Sequence, residues 1–167
     1  MEAEHFYEAK SDGDVKWEVY PYYGRTRSAV ALTPYTKPVG NSSLTYRFRL
    51  PEGFADSVKV HVIVKSTLDF QNVGGHECSI SIDGGAAKTV NFNRDLLDKQ
   101  PFAYTVFYPT VARRVVEKVA SFKVAASDVH TLTLTPKHQG IVFEKIVIDF
   151  GGYKGEYLFG KESEGKR

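Results

Sequence analysis

Carboxylates come first along this chain. In the stretch EAEHFYEA, residues 2 to 9, Glu2, Glu4 and Glu8 share one parity, so a strand there turns all three to one face. By themselves such acids read as a solvated strand edge. A further acid is harder to place. In IVFEKIVIDF, Glu144 shares parity with Val142, Ile146 and Ile148, an otherwise apolar face, whereas Lys145 falls on the opposite one. A buried lone carboxylate is costly and acquires a partner or a cation. Its own strand supplies neither.

Other reactive residue types do not converge. His5, His61, His76, His130 and His138 show no i, i+4 pairing and no HExxH, so they read as solvated or edge histidines rather than zinc ligands. GxSxG, P-loop and dinucleotide fingerprints are absent. Asp69, Glu77 and Asp83 could form an acid pair for glycoside hydrolysis, but nothing in the sequence brings them together. Cys78 alternates with Ile80 and Ile82 and belongs to the core, where a thiol is inert.

The aromatic residues suggest binding instead. WEVYPYYGRTRS sets Trp17, Tyr20, Tyr22 and Tyr23 beside Arg25 and Arg27. Trp17 and Val19 share the parity expected to face the core, while Tyr22 and Tyr23 precede a glycine in a turn. Exposed rings there can stack on the apolar face of a sugar, and Arg25 and Asn93, with Asn91, can donate to its hydroxyls or carboxylate. The alternative is a tyrosine-rich surface that packs on a neighbouring domain.

The elements that position these residues are strands. LTYRFRL, VKVHVIVK and HTLTLTP alternate cleanly, and EAEHFYE, WEVY, SAVAL, KTVNF and IVFEKIVIDF add further candidates. About ten short strands separated by Gly, Pro and Asn signals predict an all-β antiparallel sandwich. Asp83-Gly84-Gly85 predicts a hairpin. Residues 94 to 110 predict a long irregular loop. TVARRVVEKVASFKV fits helix or strand, with extended structure from about Val115.

The 167 residues suffice for one domain without staples, and 42% hydrophobic with 25% charged residues is ordinary globular composition. A net charge of +2 with few clustered arginines argues against nucleic acid. No apolar run reaches the roughly 20 residues of a membrane helix. One cysteine allows no internal disulfide. The chain carries no signal-peptide pattern and starts abruptly, as a module excised from a longer chain would.

Three stretches carry a family resemblance: EAEHF…VKWEVYPYYGRTRSAVALTP, STLDFQNVGGHECSISIDGG…VNFN, and HTLTLTPKHQGIVFEKIVIDFGGYKGEYLFGKES. Together they resemble the C-terminal domain of glycoside hydrolase family 115, whose members are α-glucuronidases that remove glucuronic acid or its 4-O-methyl ether from xylan. The resemblance is weakest across residues 94 to 125. Its most specific piece is GIVFEKIVIDFGGYKGEYLFG, similar to that family's GVVLDKIVIDFGGLKPSYLG. It implies a β-sandwich without catalytic groups, from a secreted or periplasmic parent. Such a module binds xylan or buttresses the catalytic domains and their homodimer. EAE also resembles the first strand of carbohydrate-binding module families 6 and 35. That resemblance implies a structural calcium held by Glu2, Glu4 and Glu144, where Glu144 stands in place of the usual Asp and backbone carbonyls complete the shell.

Overall fold

Among the described residues ten strands form, and their order in space differs from their order in the chain. β1 (Glu8–Lys10), β4 (Ser43–Phe48), β9 (His130–Pro136), β6 (Glu77–Ile82) and β7 (Lys88–Asn91) make one antiparallel sheet in that order. β2 (Lys16–Tyr20), β3 (Ala29–Thr33), β10 (Val142–Asp149), β5 (Ser57–Lys65) and β8 (Val115–Lys123) make the other. The computed structural model describes residues 1–164.

Between the sheets lies one apolar layer. The first sheet contributes Leu44, Tyr46, Phe48, Cys78, Ile80, Ile82, Leu132 and Leu134, and the second contributes Val30, Val58, Val60, Val62, Phe143 and Ile146. These are the same-parity residues of LTYRFRL, VKVHVIVK and HTLTLTP, as alternation predicts. Burying each large side chain stabilises the fold by about 1.5–3 kcal/mol. The one polar atom Tyr46 takes into this layer is satisfied, because its hydroxyl donates to the Ala3 carbonyl at 2.8 Å. Burial pushes the Cys78 thiol up to about 12, which leaves it protonated and unreactive.

The hairpin at Asp83-Gly84 forms as expected. Both residues take positive φ, 51° and 68°, and the Gly85 amide donates to the Ile82 carbonyl at 2.9 Å, a type I′ turn that matches strand twist. The ambiguous segment divides. A wide helical turn over Ala103–Phe107 continues into α1 (Tyr108–Arg113), Arg114 ends it at a left-handed φ of 57°, and β8 starts at Val115. The predicted loop over residues 94 to 110 is therefore helical from Ala103 onward, about its second half.

Two expectations are corrected. EAEHFYE is not one strand: Glu2 makes a lone bridge to Lys145 in the second sheet, the chain turns at Ala3 and Glu4, and only Glu8–Lys10 pairs in the first. The segment crosses between sheets, so the shared parity of its glutamates is lost. Val19 lies exposed near the end of β2, an edge strand, although Trp17 does turn inward and packs 6.1 Å from Phe143.

The outer faces of the two sheets differ. The first shows its polar alternates to solvent. The second is covered by the loop at 24–28, α1 and a C-terminal strap over residues 153–163, while residues 1–3 pair with β10 in the plane of the sheet. Apolar residues fill this cover. Phe159 packs with Ile63 and Val115, and Tyr20 packs on Ala29, Ala31 and Val142.

Candidate functional site

β10 brings charge under that cover. Its pairing with β5 shifts register between Phe143 and Lys145, so Glu144 and Lys145 together oppose Ile63. This β-bulge turns both side chains to the outer face of the sheet and restores the inward parity at Ile146. Lys145 therefore does not point away from Glu144, as strict alternation requires. Both are buried, and each has a separate partner.

Lys145, 1% exposed, sits 3.1 Å from Glu2 Oε1, and its ammonium donates to the Leu158 and Gly160 carbonyls, both at 3.0 Å, and to Thr26 Oγ1 at 3.4 Å. The Thr26 hydroxyl in turn donates to Glu2 Oε2 at 2.7 Å. Glu144 faces a different cation, Lys65 Nζ at 3.1 Å. Its side chain is 0% exposed, and neither carboxylate oxygen has an aligned hydrogen-bond donor among the described residues. Burial holds its pKa above the ordinary glutamate range, against the pull of Lys65 and Arg25.

Glu144 lies at the wall of a cavity of about 520 Å³ lined also by Gly24, Arg25, Lys65, Arg113, Arg114 and Tyr157. Arg25 stacks 4.3 Å over the Tyr157 ring and donates to the Arg113 carbonyl, while its buried Nε has no partner among the described residues. Arg113 is drawn aside by Glu117 at 3.4 Å and by the Phe159 ring. The cavity is thus cationic, with an acceptor in its wall.

A second cavity of about 560 Å³ adjoins it. Tyr20, Tyr23, Tyr35, Leu68 and Phe70 line it, with Thr67, Gly140 and Val142. Gly140, at φ 91°, permits Phe70 to approach, since a Cβ there would stand 2.5 Å from the Phe70 ring. Lys65 links the two cavities: its ammonium lies 4.6 Å over the Tyr23 ring and donates to the Tyr23 carbonyl at 3.1 Å.

Of the residues predicted from sequence, Tyr23 lines the aromatic cleft and Arg25 the basic cavity. Tyr22 projects beside them at 97% exposure, from a left-handed turn with φ 59°. Asn93 has another task. Its amide accepts from the His76 amide at 2.9 Å and donates to the Thr67 carbonyl at 2.6 Å, which holds the Thr67–Phe70 loop in place. Asn91 likewise caps the amides of Asn93 and Arg94. Tyr20 belongs to the aromatic stretch singled out in the sequence, whereas Tyr35, Phe70, Lys65, Arg114 and Tyr157 carry no local signal for a site, since only the sandwich brings them together.

The remaining candidates have structural partners. His76 and His130 are buried rather than solvated, beside Asp69 at 3.7 Å and Asp83 at 2.8 Å. Glu77 meets Arg94 at 3.2 Å. The acids Asp69, Glu77 and Asp83 are thus engaged separately. His61 bonds Glu117 at 2.7 Å, and this contact, opposed by burial, holds the Glu117 carboxyl below the ordinary range.

The glutamates do not fit a calcium shell. Glu2 and Glu144 each face an ammonium, and Glu4 lies beside His5 at 4.0 Å. Among the described residues no three His, Cys, Asp or Glu side chains converge on a point.

Several solved structures share this architecture. A family 115 4-O-methyl-α-glucuronidase with specificity for decorated arabinogalactans superposes with a TM-score of 0.66 at 13% identity, over 89% of this chain and 17% of that one. The C-terminal family 6 carbohydrate-binding module of a laminarinase from Zobellia galactanivorans gives 0.56 at 15% identity, over 89% and 96% of the two chains. A family 35 module from Clostridium thermocellum gives 0.53 at 16% identity, over 84% and 91%. At these identities the likeness is one of fold. The chain spans about a sixth of the glucuronidase, 17% of its length. No curated protein matches the sequence. The model of the glycosyl hydrolase family 115 C-terminal domain matches residues 1–162. With that match over nearly its whole length, this chain belongs to the glycosyl hydrolase family 115 C-terminal domain family.

Proposed function

We propose that this chain is a non-catalytic accessory module of a xylan-directed α-glucuronidase, and that it binds hemicellulose carrying acidic side groups. The observation behind this reading is the pair of adjoining cavities. A cleft walled by Tyr20, Tyr23, Tyr35 and Phe70 offers flat rings to the apolar faces of a sugar chain. The neighbouring Arg25, Lys65 and Arg114 offer donors to a carboxylate. Neutral and charged parts of one substituted polysaccharide would then be held together. Among the described residues the acids and histidines do not assemble into a nucleophile and base, and on this reading the catalytic groups belong to other domains of the parent.

Affinity electrophoresis tests this directly. Migration should be retarded in gels containing glucuronoxylan, less in unsubstituted xylan, and the difference should shrink as salt screens the carboxylate. Equal mobility in all gels would refute sugar binding.

A second reading rests on a specific feature. Leu68 is 85% exposed and sits on the rim with Phe70, and a bare aliphatic side chain suits a protein contact better than a sugar. On this reading the patch docks against the catalytic domains or a second copy. A stable dimer in size-exclusion chromatography that Leu68→Ser dissolves, with no retardation in xylan gels, would favour it.

A further inference from the structure

The surroundings of Lys145 are those of a bound cation. Its ammonium is buried at 1% exposure and lies within 3.0–3.4 Å of four oxygens: two carbonyls, one hydroxyl and one carboxylate. These oxygens come from three distant stretches. Glu2 belongs to the N-terminal segment and Thr26 to the loop before β3, while Leu158 and Gly160 belong to the C-terminal strap. The strap is also tied by Ser163, which accepts from the Glu2 amide at 2.8 Å, and by Glu162, which meets Arg27 at 3.0 Å.

We propose that Lys145 Nζ is the resident cation of this oxygen cage, carried on the chain in place of a metal ion. Three features support it. An ammonium has three N–H groups, and three acceptors receive them: Thr26 Oγ1, Leu158 O and Gly160 O. Glu2 supplies one negative charge against one positive charge, which leaves the cage neutral. The spacings are those of N–H···O contacts, whereas calcium draws six to eight oxygens to about 2.3–2.6 Å. Thr26 completes the arrangement, because its hydroxyl proton goes to Glu2 Oε2 and its lone pairs remain for the ammonium. The bulge in β10 is the backbone device that makes room. Without the extra residue, Lys145 would share the inner face with Phe143.

Thermal unfolding tests this with and without metal. The wild-type midpoint should be the same in millimolar calcium and in a chelator, because a ligand of the native state alone must raise it. Lys145→Ala should lower the midpoint by roughly 10 °C and open the cage. Calcium, potassium or a short alkylammonium ion should then restore about 5 °C of that loss. Lys145→Met, which fills the space without charge, should lose stability and regain none. A wild-type midpoint that falls on chelation and returns with calcium would overturn the proposal. So would a Lys145→Ala chain that responds to cations no more than Lys145→Met. If Lys145→Ala does not fold, calorimetric titration of the wild-type chain still decides: no heat of calcium binding supports the occupied cage, and saturable heat sinks it.

Discussion

The two sheets of this sandwich share one core but treat their outer faces differently. On the first sheet, Thr45 and Arg47 of β4 and Thr131, Thr133 and Thr135 of β9 alternate outward into solvent. On the second, β3 is buried on both faces from Ala29 to Leu32, and β10 is buried from Val142 to Ile146. The first face is a simple antiparallel surface with one side wet. The second carries a cover of loops, helix and strap, and a cover that does not seal fully leaves cavities. Both candidate binding cavities and both buried carboxylate–ammonium pairs lie on this covered side. The buried charge pairs gather where the sheet is enclosed, because only enclosure lowers the local dielectric enough to give single charged contacts weight.

The strongest test of this contrast is Glu2→Ala. Removing one partner leaves the Lys145 ammonium buried without its counter-charge, and stability should drop by about 3–5 kcal/mol in denaturant unfolding. A loss as small as a surface mutation would show that the cover contributes nothing.

Smaller effects should follow in the cleft. Tyr23→Ala, or Phe70→Ala, should weaken glucuronoxylan binding by about tenfold in affinity electrophoresis, near 1.4 kcal/mol, with the same far-ultraviolet dichroism. Undiminished retardation for both variants would move the sugar site elsewhere.

Acid titration separates two carboxylates of the covered face. The Glu117 carboxyl is held below its ordinary value of 4.5, so its contribution is present above that pH and is lost as pH falls through the lowered folded value. The Glu144 carboxyl is raised above 4.5, so its contribution is full below that pH and disappears as pH rises through the raised folded value. Glu117→Gln should therefore flatten the acid side of a Tm–pH profile. Glu144→Gln should remove a loss on the neutral side. Identical slopes in both variants and the wild type would contradict the assignment.

On the open face the expected change is smallest. Thr133→Ala should alter stability by no more than about 0.5 kcal/mol in the same unfolding experiment, as surface substitutions do.

Much of the sandwich was legible because strand alternation needs no long-range knowledge. LTYRFRL and HTLTLTP place their own side chains, and Asp83-Gly84 closes its own turn. The site was legible only in part. Tyr23 and Arg25, singled out as an exposed ring and a guanidinium group beside a glycine, do line the two cavities. Tyr35, Lys65 and Phe70 were missed, since each belongs to a different segment and none is unusual locally. An amide able to donate to a sugar is equally able to hold a loop, and the structure gives the Asn93 amide to the His76 amide and the Thr67 carbonyl.

By itself, the order of residues determined the strand content, the identity of the inner layer, the hairpin, and membership in the family through the closing GIVFEKIVIDFGGYKGEYLFG. The tertiary structure alone decided the fate of the charges. A one-residue bulge in β10 reversed the parity that placed Lys145 opposite Glu144, and it brought Lys145 to Glu2 and Glu144 to Lys65. Periodicity describes a strand in isolation, but a bulge exists only relative to the strand beside it. Charge pairing under a cover likewise depends on segments more than a hundred residues apart meeting in space, as Glu2 and Lys145 do.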